Sequence, residues 1–193
     1  MVGLSRLFRR RRLPAGARPP LADDERIIAW ASEAAFAAPE AAGVGARRAV
    51  VVVTNLGLWL PGASGPTRLG WHEIHKATWS GRALRVVPAY EVAAHETYVE
   101  MADADPLTAT LLDPDKVPEQ VRARVGKSVA YTSHHALPGG GVRVVARRIP
   151  GRDGLRWTVR YDPGTQPAPD AVAALVARGL ASITGGQTVA SSG

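Results

Sequence analysis

Three segments near the C-terminus alternate apolar and polar residues so strictly that they leave little choice of structure. They are residues 129–137, 142–149 and 155–161. Pro138, Gly139, Gly140 and Gly141 join the first two, and residues 150–154 join the last two. Period-two alternation between turn residues predicts an antiparallel three-stranded sheet. A one-residue slip would invert every side chain, so the pattern also assigns the faces. One face collects Val129, Tyr131, Leu137, Val142, Val144, Ala146, Leu155, Trp157, Val159 and Tyr161. The other collects Thr132, His134, Arg143, Val145, Arg147, Arg156, Thr158 and Arg160. The apolar face needs a cover. Val172, Leu175, Val176, Leu180 and Ile183 recur at helical spacing after Pro169, which predicts a covering helix that stops at Gly185.

The Arg face carries four guanidiniums and no acid. Like charges on neighbouring strands repel, so an anionic partner would relieve it. Phosphate, a lipid headgroup, nucleic acid and the acidic first half of the same chain all fit that requirement. Single-stranded nucleic acid also calls for exposed aromatics, and here the aromatics alternate onto the buried side. The charge of the whole chain bears on the choice. The net +7 divides into three parts. Residues 1–20 carry six Arg and no acid. Residues 21–115 carry seven basic and thirteen acidic residues, and residues 116–193 carry eleven basic and four acidic. Folded parts of opposite sign attract each other. Arg outnumbers Lys 21 to 3, which suits bidentate anion contacts and equally reflects a GC-rich genome.

Arg9, Arg10, Arg11 and Arg12 form a basic cluster beside Leu4, Leu7 and Phe8. Pro14, Gly16, Pro19 and Pro20 follow, so the apolar run of a signal peptide is missing. The segment reads as a disordered basic tail over residues 1–21, with docking on anionic lipid or an acidic partner as the functional alternative. No stretch approaches the ~18 apolar residues of a membrane span, and the expected location is cytoplasmic, peripheral to the membrane if the tail docks there.

Between the tail and the sheet, residues 24–30, 48–54, 58–60, 68–71, 74–79, 82–87 and 107–112 read as short strands. Residues 34–45 are Ala-rich and end in glycines, which predicts a long hairpin connection. Asn55, Leu56 and Gly57 form a tight turn, with Gly57 available for positive φ. Residues 89–106 read as a loop, or a loop holding a short strand near Tyr98–Met101. Pro118 opens a helix in which Val121, Val125 and Val129 share a face.

Thr54-Asn55-Leu56-Gly57-Leu58-Trp59-Leu60, then Leu69-Gly70-Trp71-His72-Glu73-Ile74-His75-Lys76-Ala77-Thr78-Trp79 and Leu84-Arg85-Val86, resemble bacterial pleckstrin-homology-like (PH-like) and GRAM-like domains. The resemblance covers about residues 22–128. It implies an open barrel capped by one helix, and contacts to protein or lipid. Val117-Pro118-Glu119-Gln120-Val121-Arg122-Ala123-Arg124-Val125, with residues 142–148 and 155–161, also looks like a group of actinobacterial proteins with no assigned activity.

Catalytic signatures fail on inspection. There are no cysteines, which excludes disulfides, thiolate metal sites and Cys nucleophiles. Gly126-Lys127-Ser128 ends like a phosphate loop, but Val121 stands where its first glycine belongs. His72-Glu73 is followed by Lys76, and His95-Glu96 by Val99, so neither is a zinc-protease motif. His72 and His75 lie where a turn leads into a strand and so diverge, and His134 and His135 point to opposite faces, with His135 expected hydrogen-bonded in the core. Asp103, Asp105, Asp113 and Asp115 lack calcium-loop spacing. No metal or cofactor is expected.

The sequence thus predicts an α+β protein: a PH-like antiparallel barrel or sandwich with a capping helix over residues 22–128, then a three-stranded antiparallel sheet with a C-terminal helix over 129–184. Residues 185–193 are expected to be a flexible tail. The expected function is a non-enzymatic binding or adaptor module contacting an anionic membrane or acidic protein surface. A nucleic-acid-binding protein using the Arg face is the alternative, and an enzyme of unrecognised type is the third. The candidate contacts are Arg9–Arg12, Arg143, Arg147, Arg156 and Arg160.

Overall fold

The computed structural model describes residues 12–14, 16–33, 49–62 and 64–188, with the backbone alone for 186–188. It is a mixed α+β structure: a four-stranded antiparallel sheet, a larger sheet curled into a half-barrel, and two helices.

The four-stranded sheet runs in chain order through β1 (Ile27–Ser32), β2 (Val50–Thr54), β3 (Gly57–Leu60) and β4 (Thr67–Gly70). β2 is buried along its whole length, as an unbroken valine run requires. The first strand begins three residues later than the sequence predicts. Ala22 to Glu25 form a turn instead, closed by Glu25 N–H donating to Ala22 O at 3.0 Å. The predicted connection over 34–45 lies outside the described residues.

The turn from β2 to β3 is built by Thr54. Its Oγ1 accepts from the N–H groups of Leu56 (3.2 Å) and Gly57 (3.0 Å). Gly57 is not at positive φ. It is glycine because a Cβ there would lie 2.4 Å from the Leu69 carbonyl oxygen of the paired strand β4. Close backbone approach, and not handedness, excludes a side chain.

β4 ends at Gly70, one residue before the predicted end, and Trp71–Glu73 make one 3-10 turn between the two predicted strands. Glu73 Oε2 accepts from Gly70 N–H at 2.6 Å and holds that corner. The chain then enters the second sheet with β5 (Ile74–Ser80) and β6 (Ala83–Ala94). Of the two readings of residues 89–106, the plain loop fails and the short strand near Tyr98–Met101 is found as part of a larger pairing. β6 continues through the first third of this stretch, and β7 (Val99–Asp103) returns beside it, pairing Ala89 with Asp103 and Ala94 with Val99. β8 (Leu107–Thr110) pairs the first half of β6 on the same edge. Past β8, Leu112 N–H donates to Ser32 O at 2.9 Å, so the end of β8 ties the two sheets together. Glu33 bridges Leu111 at this seam. Its side chain is buried, and Oε2 finds no partner among the described residues. Burial pushes the carboxyl up to about 7.

α1 (Val117–Ser128) lays Val117 and Val121 over the core between the sheets. That core holds Val51, Val53 and Leu58 from one sheet and Ile74, Leu84 and Val86 from the other. Each such side chain contributes about 1.5–3 kcal/mol on burial.

β9 (Val129–Leu137), β10 (Gly140–Arg147) and β11 (Arg156–Tyr161) form the predicted meander. It is continuous with the preceding strands, because β11 pairs β7 in parallel, Thr158 beside Val99. The sheet order is β5-β6-β7-β11-β10-β9. α2 (Pro169–Thr188) covers the apolar face with Val172, Leu175 and Val176. It runs past Gly185, the predicted stop. Glycine in a helix interior weakens it by ~1 kcal/mol without ending it, and no proline follows. Gly179 sits where α2 meets the sheet: a Cβ there would lie 2.8 Å from the Trp157 ring.

The predicted disordered tail needs correction over its second half. Leu13, Ala17 and Leu21 pack with Val50, Val52 and Trp59 on the outer face of the four-stranded sheet. Behind them Glu25 is a buried anchor. Its Oε1 accepts from Thr54 Oγ1 (2.6 Å) and Trp59 Nε1 (2.8 Å). Its Oε2 accepts from Arg68 NH1 (2.8 Å) and Ala22 N–H (3.2 Å). Burial alone would raise this carboxyl. The bonds from Thr54, Trp59, Ala22 and Arg68 outweigh it and hold the pKa below the usual value.

Candidate functional site: the arginine face

The register of β10 on β11 sets the four predicted arginines in two rungs. Arg143 faces Arg160 and Arg147 faces Arg156, with Val145 and Thr158 between them. Directly opposed residues share a face, so all four guanidiniums project from one side.

The face is concave. His75 lies on β5 and Arg160 on β11, with β6 and β7 between them. In a flat sheet, three strand spacings would separate them by about 14 Å. Yet both reach one carboxylate. Asp103 Oδ1 accepts from His75 Nδ1 at 2.6 Å and from Arg160 NH1 at 2.7 Å, and Oδ2 takes the same Arg160 nitrogen at 2.8 Å. The curl brings the first strand of the sheet over the last ones. A cleft of about 50 Å³ lies between His75 on one side and Arg143, Arg147 and Arg160 on the other.

The electrostatics follow from these contacts. Burial would raise the Asp103 carboxyl, but bonds from His75 and Arg160 pull it below its usual value, so it is ionised. Burial pushes the His75 imidazole down further than Asp103 pulls it up, so His75 is neutral at pH 7. Arg156 NH2 donates to Glu91 Oε2 at 2.7 Å. Glu91 and Asp103 both belong to the acidic first half of the chain. They neutralise half of the arginine set, as attraction between the two halves suggests.

Arg143 and Arg147 have no carboxylate among the described residues. Arg143 is exposed and stands opposite Arg160. Arg147 is buried, with 5% of its surface accessible. Its NH1 donates to Ser128 Oγ at 2.9 Å, and Ser128 in turn donates to Val125 O. Its Nε finds no acceptor among the described residues. Burial, then the nearby Arg160, push its pKa down. Four guanidiniums face Glu91 and Asp103, with Asp162 at the rim bonded to His134 opposite Arg143, so cation remains in surplus and is partly withheld from water. Such a cleft attracts a carboxylate or phosphate oxygen, which an Arg fork binds in two bonds.

The other predicted contacts lie elsewhere. Arg9, Arg10 and Arg11 are outside the described residues. Arg12 is exposed and adjoins Leu13, which packs on the four-stranded sheet. Arg12 and the Arg face therefore belong to different sheets. His134 projects outward to Asp162 at 2.6 Å, and His135 is half-buried with Nε2 at 2.9 Å from Ser133 Oγ. No cluster of three metal-ligating side chains occurs among the described residues. No described helix is long and apolar enough to cross a membrane. The sequence reading missed Glu91, Asp103 and His75 as members of the site. Their partners lie 28 to 65 positions away, and only the strand order brings them together. No family model matches the chain, and comparisons with curated proteins and with solved structures give no match either.

Proposed function

We propose that this chain is a non-enzymatic binding module whose concave Arg face receives an acidic segment of a protein partner. One observation carries the reading: among the described residues Arg143 and Arg147 lack a carboxylate while their opposite numbers, Arg156 and Arg160, are each held by one. Carboxylate side chains on a narrow segment reach into a concave face; a flat bilayer meets it poorly. A PH-like architecture for residues 22–128 is part of this reading. Its support is the order of elements, with four antiparallel strands, then β5, β6, β7 and β8, then α1 over the enclosed core; β7 also pairs β11 outside this span.

The test is a calorimetric titration of the full chain with a glutamate-rich peptide at low and physiological salt. The reading expects saturable binding that weakens with salt and weakens several-fold in Arg143→Gln. No binding at low salt, or equal binding by the variant, would overturn it. Parallel sedimentation with phosphatidylglycerol vesicles separates the membrane alternative. Vesicle binding lost on deleting residues 1–13, with no peptide binding, would assign the contact to the tail.

A further inference from the structure

A second concavity, of about 560 Å³, shares no lining residue with the Arg cleft. It lies between the C-terminal half of α1, the β10–β11 connection and Ile183 of α2. Its volume is in the range of small-molecule sites, about 300–1,000 Å³. Four cations line it, Arg124 and Lys127 from α1 and Arg148 and Arg152 from the connection, against one acid, Asp153. Arg148 is already occupied. Its NH1 donates to the carbonyls of Lys127 and Val129, each at 3.3 Å, and so closes the end of α1. Arg124, Lys127 and Arg152 have no carboxylate bonded to them among the described residues.

Arg124 is the telling member. Its Nε is buried and finds no acceptor among the described residues, and burial pushes its pKa down. Arg124 as a whole is half-buried, so the rest of its guanidinium stays open to the groove, while a buried N–H without an acceptor is costly until one arrives. Trp71, Ile149, Leu155 and Ile183 give the wall an apolar stretch, alongside the polar Asn55 and Ser128. A cationic end beside an apolar wall selects a ligand with the same division.

We infer that this groove binds a small amphipathic anion, its phosphate or carboxylate held by Arg124 and Arg152 and its apolar body against Leu155 and Ile183. The fork geometry of two guanidiniums suits either oxyanion. The groove is independent of the Arg face, so neither reading depends on the other.

Phenyl phosphate is the probe, added to the isotopically labelled full chain and followed by amide shifts and calorimetry. The inference expects saturable shifts centred on residues 124–130 and 148–155. Inorganic phosphate alone and phenol alone bind more weakly, because each fills half of the groove. Benzoate in place of phenyl phosphate distinguishes the two oxyanions. Arg152→Gln, at an exposed position, weakens binding about tenfold without moving the unfolding midpoint, and Arg124→Gln weakens it at least as much. Arg143→Gln leaves it unchanged. Absence of saturable shifts, shifts confined to the Arg cleft, or wild-type affinity in Arg152→Gln would each overturn the inference.

Discussion

Replacing Glu25 tests whether the N-terminal segment is held by one buried carboxylate. Consider Glu25→Gln first. The amide oxygen can keep the Oε1 partners, Trp59 Nε1 and Thr54 Oγ1. The NH2 then faces Arg68 and the Ala22 N–H, both donors. Two bonds to a charged acceptor are lost, each worth about 1.5–3 kcal/mol in a buried setting. Arg68 has 39% of its side chain accessible and Ala22 is exposed, so water recovers much of that. A net cost of about 1–2 kcal/mol is expected. Glu25→Ala also leaves Trp59 Nε1 without an acceptor in a residue only 7% accessible. Thr54 escapes that fate, because its hydroxyl can turn to Gly57 O at 3.0 Å. The unpaired indole N–H adds about 1–3 kcal/mol, so Ala should cost about 2–5 kcal/mol in all, with Arg68 open to water.

The pH dependence gives a signature that packing loss alone would not. The folded pKa of Glu25 lies below the ordinary value. Its contribution is therefore fully present above the unfolded carboxyl pKa of about 4.3. It is lost as pH falls through the folded pKa. Glutamine does not titrate, so the gap between wild type and Glu25→Gln should narrow in acid. Urea unfolding at neutral pH and through the acid range measures this, with equal m-values as the check on two-state behaviour. A gap that stays constant into acid, or an Ala variant no worse than Gln, would refute the reasoning.

Three further outcomes are expected. Gly179→Ala should destabilise by up to about 2 kcal/mol, because the clash with Trp157 outweighs the helix-propensity gain, whereas Gly185→Ala, with nothing within 4 Å of the new Cβ, should stabilise by about 0.5–1 kcal/mol. Thermal melts of the pair must show opposite signs. Glu33 has a folded pKa of about 7, above its unfolded value, so wild-type stability should fall between about pH 4.5 and 7 by up to about 3 kcal/mol. Glu33→Gln should abolish that slope in denaturant titrations across the range. Arg143→Thr should stabilise at low salt by about 0.2–1 kcal/mol by removing the repulsion with Arg160, with the gain shrinking as salt screens it; destabilisation at low salt would count against the electrostatic account.

The Arg face was legible because period-two alternation fixes side-chain direction from local sequence. Arg143 and Arg147, and Arg156 and Arg160, each keep that period across a strand. Their carboxylates were not legible for two reasons. Glu91 and Asp103 sit in a stretch of Ala, Glu and Asp whose small and charged residues show no apolar alternation, so the second half of β6 reads as loop and β7 as no more than a short strand near Tyr98–Met101. The sheet curl that aims His75 at Asp103 is a property of strand order, and β7 beside β11 is a pairing that no local pattern encodes. Glu25 was hidden differently. An acid beside Asp23 and Asp24 looks solvated, and only the fold of Leu13 to Leu21 over Trp59 buries it.

The parallel pairing of β7 with β11 governs the order in which this chain can be completed. Synthesis delivers β7 well before β11, so for that interval β7 presents a row of unpaired amides and carbonyls to its surroundings. Non-local parallel pairing is intrinsically slow, which lengthens the exposure. Glu100 and Asp103, on or beside that open edge, would set like charges against a second copy and act as gatekeepers until β11 arrives. A fragment cut after Ser128 would keep the open edge permanently and lose the arginines that Glu91 and Asp103 bind. It should therefore stay apart at neutral pH and low salt, and self-associate once acid or salt removes that repulsion.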